Sequence, residues 1–306
     1  MRLGFHLPQM GQAAGPENLL RVAKEAENLG YDTLWVTDRL MHAVAPRSAY
    51  PGTADGSLPD PYRYVLDPLE ALTYVAAGTS RIGLGTSVLD MPYYNPVVLA
   101  RQLTTLDVLS GGRLRLGLGV GWNMDELEAS GGPMKNRGRY ANEFIDALKA
   151  IWTTDPVEYS GEYFRISRAS IQPKPVQKPY PPVYLGAFAP AALKRVAERG
   201  DGWFPVLLPL DAMRQMWDSI RQMAREAGRN PEDLGIIVRG MTLVTEDPLA
   251  GDRPIFNGTF KQIKSDIEAV REMGALELMF DPVFEPACTT VDVYIERLKQ
   301  MRELAG

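Results

Sequence analysis

One cysteine and two histidines are all that this chain of 306 residues offers to disulfide or soft-metal chemistry. Cys288 has no partner for an internal bridge, and His6 and His42 belong to no HExxH or Cys/His pairing, so no metal site is expected. Neither sign of charge dominates: 33 basic and 38 acidic residues are mixed along the chain to a net -5, which argues against nucleic acid as a partner. No apolar run approaches the ~20 residues that cross a bilayer, so no membrane partner is expected. No secretory pattern follows Met1, and the cytoplasm is the expected compartment. A GxSxG nucleophile elbow and a P-loop are also missing.

What is present is alternation. Runs rich in β-branched and aliphatic residues occur near residues 2–7, 33–37, 81–88, 113–120, 182–187, 202–206, 235–245 and 275–280. Helical patterns lie between them. Pro16 opens the first, Leu19, Val22, Ala26 and Leu29 share its face, and Gly30 stops it. Asp67-Pro68 and Asn95-Pro96 each set a capping oxygen before a proline, and later helical runs cover 139–152, 190–199, 211–227, 259–273 and 290–304. Eight strand-then-helix units predict an α/β fold, a (β/α)8 TIM barrel, in preference to an open doubly wound sheet. One domain, 1–306, is expected, with insertions at about 38–66, 122–138, 153–181 and 246–258. All but one of these follow a strand and fall at the C-terminal mouth, where barrel enzymes carry their chemistry. Segment 153–181 follows a helix instead; its "VEYSGEYFRI" reads as a hairpin turning at Ser160-Gly161, a structural appendage.

The third and fourth strands give one face to glycine. In "RIGLGTSVLDMPYYNP" Ile82, Leu84, Thr86 and Val88 alternate with Gly83, Gly85 and Ser87, and in "RLRLGLGVGW" four aliphatic residues alternate with Gly117, Gly119 and Gly121. The leucine faces must pack on helices, so the glycine faces point into the barrel. Either neighbouring strands fill the space with large residues, or a flat ligand lies against bare backbone; the second is the functional reading. "GLGVG" is not a dinucleotide fingerprint, because Trp122-Asn123-Met124-Asp125 and a Gly131-Gly132-Pro133 loop stand where the phosphate-binding helix would begin.

The stretch "LGTSVLDMPYYNPVVLARQLTTLDVLSGGRLRLGLGVGW" resembles the bacterial luciferase-like superfamily, its deazaflavin (coenzyme F420)-dependent oxidoreductase branch more than the flavin monooxygenases. "YDTLWVTD", "PVYLGAFAPAALKRVAERGDGWFPV" and "GTFKQIKSDIEAVREMGALELMF" fall in family order, so the resemblance covers nearly the whole chain. It implies a TIM barrel that binds coenzyme F420, or alternatively flavin mononucleotide (FMN), with the ring against strands three and four. It also implies a non-proline cis peptide after the third strand, by position Ser87-Val88, as a bulge behind the ring. Asp38 matches the acidic residue near the ring's polar edge, and Gly121 and Trp122 the ring-lining end of strand four; a strand-end cap and an aromatic lid are the ordinary readings of the same residues. Gly186, Ala187 and Phe188 open the next helix, whose free N–H groups and dipole suit the cofactor phosphate. Arg137 and Tyr140 stand either beside that phosphate or in solvent.

Arg39 stands where many deazaflavin relatives have histidine, and Trp122-Asn123 replaces an acidic catalytic residue of the sugar-phosphate dehydrogenases, which argues against a sugar-phosphate substrate. Arg39 cannot act as a base but could orient an anionic or carbonyl group. His42 is a candidate proton donor or a surface residue. Tyr93, Tyr94, Trp122 and segment 39–66 either shape an apolar substrate cavity or simply pack. The resulting expectation is hydride transfer between the deazaflavin C5 and a small organic substrate, in a homodimer. An FMN-dependent monooxygenase and a non-catalytic flavin- or deazaflavin-binding barrel are the alternatives.

Overall fold

The computed structural model describes all 306 residues, and its eight parallel strands close into a barrel. They are β1 (Arg2–His6), β2 (Thr33–Val36), β3 (Gly83–Thr86), β4 (Leu114–Gly119), β5 (Val183–Leu185), β6 (Gly202–Trp203), β7 (Gly235–Met241) and β8 (Glu277–Asp281). Each pairs with the next, and β8 returns to β1 through Arg2–Glu277 and Phe5–Phe280. The TIM barrel expected from the alternation is therefore the fold.

The helices around it are α1 (Pro16–Asn28), α2 (Pro68–Gly78), α3 (Pro96–Ser110), α4 (Met124–Ala129), α5 (Arg137–Thr153), α6 (Pro190–Arg199), α7 (Leu210–Glu226), α8 (Phe260–Glu272) and α9 (Val291–Ala305). The capping logic operates as read: Asp67 Oδ1 accepts from Leu69 N at 2.8 Å, and Asn95 Oδ1 from Val97 N at 2.9 Å. Both oxygens satisfy N–H groups that the helix itself cannot. Alternate leucines of β3 and β4, Leu84, Leu114, Leu116 and Leu118, are fully buried in the main core against these helices. In segment 153–181 the strands Val157–Ser160 and Arg165–Ala169 form the hairpin, reversing over residues 161–164. The carboxylate of Glu143 on α5 holds that reversal by accepting from Glu162, Tyr163 and Phe164 N–H groups.

Inside the barrel the glycine faces are not bare along their length. Trp35, Tyr184, Phe204, Ile237 and Met279 form a separate buried cluster there. Trp35 is the register partner of Gly85, and a Cβ on Gly85 would lie 2.2 Å from the indole Cε3. A Cβ on Gly83 would meet Arg115 Nε at 2.9 Å, and one on Gly117 would meet Thr86 O at 2.1 Å. Of the two readings of the glycine faces, filling by neighbours holds at these depths, where glycine admits side chains and backbone, and the bare-backbone reading is corrected there.

The ladder breaks once. Between Gly85–Arg115 and Leu89–Leu118, β3 takes four residue steps against three on β4, so one residue bulges. The Ser87–Val88 peptide at this bulge is cis.

Candidate active site

Above the aromatic plug, at the C-terminal ends of the strands, lies a cavity of about 480 Å³. Its floor is the bulge. Val88 packs over β4, with its methyl carbons 3.0 Å and 2.7 Å from where Cβ atoms on Gly117 and Gly119 would lie. Gly119, Gly121 and Gly186 remain on the cavity wall. A Cβ on Gly186 would approach nothing closer than 3.8 Å, so this wall position is open through its residue type and not through crowding.

The bulge is held from across the barrel. Arg239 on β7 donates through Nη1 to the Ser87 carbonyl at 2.9 Å and through Nε to Asp281 Oδ2 at 2.8 Å. Thr37 Oγ1 adds a 3.5 Å contact to the same carbonyl and lies 3.0 Å from His6 Nε2. Burial pushes the His6 pKa down to about 4, against the pull of Asp281, so the ring is neutral at pH 7. The Ser87 hydroxyl, by contrast, is buried without a partner.

One side of the cavity is a cluster of acids around a single cation. Asp38 follows β2, and its Oδ2 accepts from Tyr94 Oη at 3.0 Å and from Asp90 N at 3.2 Å, while Oδ1 has no hydrogen bond. Burial, followed by the charge of Asp90, raises the Asp38 pKa to about 7. Burial raises that of Asp90 as well, opposed by Arg39. The Arg39 side chain is only 5% exposed; Nη1 lies 2.9 Å from Glu126 Oε2 and Nη2 3.4 Å from Asp90 Oδ2. The Glu126 contact is an ion pair and not an aligned hydrogen bond, since Nη1 meets no acceptor in good geometry. The guanidinium carbon sits 5.3 Å from the Tyr62 ring centre and 5.1 Å from that of Trp122. Glu126 Oε1 also accepts from Leu40 N at 2.8 Å and Met41 N at 3.2 Å, and Oε2 from Tyr93 Oη at 3.0 Å.

Eight residues singled out from the sequence line this one cavity: Asp38, Arg39, Ser87, Val88, Gly121, Trp122, Gly186 and Phe188. Ala187 lies next to it, buried, with its carbonyl accepting from Trp203 Nε1 at 2.9 Å. Three others are elsewhere. His42 is not on the wall, and its Nε2 is buried without a partner. Arg137 donates to the Gly121 carbonyl, bracing a turn where Gly121 has φ +69°. Tyr140 donates to the Tyr94 carbonyl at 3.1 Å and packs against Phe164 with ring centres 4.9 Å apart. The helix expected to open at Gly186 begins at Pro190, and the Gly186 N–H is spent on Leu118 O at 2.9 Å. The N–H groups of Ala187, Phe188 and Ala189 are the ones left without partners. Asp90, Glu126, Arg239 and Asp281 complete the site although the sequence reading did not single them out.

Residues 1–274 match the family described as luciferase-like monooxygenase. An uncharacterized protein of Mycobacterium tuberculosis is 39% identical over 183 residues, which are 59% of this chain and 64% of that protein. A protein of Amycolatopsis mediterranei named F420-dependent glucose-6-phosphate dehydrogenase is 33% identical over 193 residues, 62% of this chain and 53% of that one. The chain thus matches less than two thirds of the length of either relative. Among solved structures, monooxygenase RslO1 from Streptomyces bottropensis superposes with a TM-score of 0.79 at 20% identity, covering 99% of this chain and 98% of that one. An F420-dependent secondary alcohol dehydrogenase in complex with an F420-acetone adduct gives 0.78 at 19% identity, covering 100% and 99%. At such identities these two speak for the fold. The family match takes in the first seven strands and every residue lining the cavity, and the chain belongs to the luciferase-like monooxygenase family.

Proposed function

We propose that the protein is an oxidoreductase that binds coenzyme F420 at this cavity and exchanges a hydride between the deazaflavin C5 and a small organic substrate. The observation that carries the reading is the wall formed by Gly119, Gly121 and Gly186 around Val88, open at Gly186, in a cavity that Asp38 also lines with its Oδ1 free of hydrogen bonds. The relative named as F420-dependent supports a deazaflavin over a flavin. The residues present fit such a group. Asp38 Oδ1, which has no hydrogen bond, can meet a polar ring edge, and the free N–H groups of Ala187, Phe188 and Ala189 before α6 can receive a phosphate. When bound, a deazaflavin gives or accepts a hydride at C5, the two-electron chemistry that no side chain supplies.

The protein's part is orientation and proton handling. With a pKa of about 7, Asp38 can hold or release a proton at Oδ1 near neutrality, while Tyr94 and Asp90 N–H fix its other oxygen. Asp38 replaces His42 as the proposed proton donor, because His42 does not reach the cavity. Arg39 keeps the acid cluster in place: its Nε donates to the Asp38 carbonyl at 2.7 Å, and its two terminal nitrogens are taken by Asp90 and Glu126. Tyr50, Tyr62 and Trp122 cover the cavity and limit water.

Spectral titration of the purified protein with F420 and, separately, FMN tests the reading. Saturable F420 binding and hydride exchange with at least one substrate are expected. Tight FMN binding without F420 binding would turn the assignment to a flavin monooxygenase, and F420 binding without turnover across a broad panel to a cofactor-holding barrel.

A further inference from the structure

The mouth of the cavity has an apolar lip whose backbone is held in an unusual way. The chain after β6 reads "FPVLLPL", and Val206, Leu207 and Leu208 all line the cavity between Pro205 and Pro209. Leu207 has φ +58°. The left-handed region crowds an L side chain against the following carbonyl, so glycine is its usual occupant. Packing does not account for a leucine there, because Leu207 is 42% exposed. A side chain kept in strained backbone at the edge of a cavity points to what it touches when the cavity is filled.

Charge restricts what that is. The cavity has two cations, Arg39 and Arg239, and carboxylates neutralise both: Asp90 and Glu126 the first, Asp281 the second. No lysine lines the wall, and Asp38 and Asp90 do. An anionic group on a substrate entering past the lip would lose its water and find no side-chain cation that is not already paired. The remaining surface offers aromatic rings, Val206, Leu208 and Met241.

We infer that the substrate is an uncharged compound with an apolar body, and that the Val206-Leu207-Leu208 lip grips that body, with Leu207 setting specificity. The inference rests on the reading of this cavity as the substrate site. It excludes a sugar phosphate whose phosphate would sit at the lip.

Displacement of the neutral dye Nile red from the cofactor-free protein tests it, in buffer with excess inorganic phosphate to occupy the N–H groups before α6, with 2-butanone, 2-hexanone, 2-octanone and glucose 6-phosphate as competitors. Ketone affinity should rise about fourfold per added methylene, the factor that burial of one CH₂ supplies, and glucose 6-phosphate should not compete. Leu207→Gly should keep the melting temperature, because glycine suits φ +58°, yet reduce the step per methylene to less than about twofold. Leu207→Lys should weaken 2-octanone further. Competition by glucose 6-phosphate equal to that of 2-octanone, a flat ketone series, failure to bind the dye or the ketones, or an undiminished step in Leu207→Gly would each overturn the inference. The cofactor titration is separate: F420 binding with a flat ketone series removes this inference alone, whereas an intact series without F420 binding removes the cofactor assignment.

Discussion

Two levels of the same barrel use glycine for opposite ends. Near the middle of the strands, Gly85 makes room for Trp35, whose Nε1 donates to the buried Glu277 Oε1 at 2.7 Å, and the Trp35 and Phe204 rings meet edge to face with centres 4.9 Å apart. Space there is taken up by protein. At the mouth, Gly186 crowds against nothing in the chain, and Asp38, which lines the same cavity, keeps Oδ1 free of hydrogen bonds. A missing side chain therefore marks a site only where the neighbours leave its space empty.

The sharpest way to break the contrast is to disturb the charges that hold the mouth open. Arg39→Met leaves Asp90 and Glu126 buried without their cation, and should cost about 3–5 kcal/mol in urea unfolding. A loss below about 1 kcal/mol would mean that the carboxylates relax into water and that the mouth is not built on this pair. Next in size is the middle of the barrel. Gly85→Val drives a branched side chain into the Trp35 indole and should cost about 1–3 kcal/mol, read in the same experiment together with a shifted tryptophan emission.

How far the sequence discloses these levels differs from one residue to the next. The strands, their order and the capped starts of α2 and α3 follow from periodicity and from Asp67 and Asn95, which act within a few residues of themselves. Helix α4 had a signal that was passed over: Asn123 accepts from Asp125 N at 3.0 Å, and Asp125 and Glu126 sit in the first turn. What Glu126 does was not readable, because its partners Arg39, Leu40 and Met41 lie some 85 residues away in a segment without regular structure. Arg239 and Asp281 interrupt otherwise apolar strands, which marks an inward polar layer, but only the closed barrel brings Arg239 to the Ser87 carbonyl. The filling of Gly85 was in principle visible, since Trp35 sits one strand away, and register settled it. Arg137 and Tyr140 were placed by position alone and found nearer partners in Gly121 and Tyr94.

The mouth also titrates differently from the middle. A carboxyl raised to about 7 in the folded chain and near its ordinary value of 3.8 when unfolded binds its proton more tightly when folded. The stability contributed by protonated Asp38 is complete below about pH 3.8 and is lost as pH rises through about 7. Asp38→Asn removes that dependence. The stability of wild type relative to Asp38→Asn should fall between these limits by no more than about 1.4 kcal/mol per pH unit and be level above them. A relative stability that rises with pH across this window would show that Asp38 is held ionised, and would remove it as the proton donor.

The smallest effect on stability is expected where the contrast is most exposed. Gly186→Val adds its Cβ into space where the nearest atoms, Leu118 O and Val88 Cγ2, are 3.8 Å away, and Gly186 does not need a left-handed backbone. Its unfolding free energy should change by no more than about 0.5 kcal/mol. The new methyl groups would occupy the wall that the proposed ring needs, so F420 affinity should fall at least tenfold, roughly the 1.4 kcal/mol that imperfect contact along one face would cost. Gly85→Val and Gly186→Val thus exchange their signatures: the first unfolds the protein more easily, and the second leaves it folded but loading the cofactor more weakly. If Gly186→Val instead lost stability like Gly85→Val while binding F420 unchanged, both levels would be packing devices and the ring would have to lie elsewhere at the mouth.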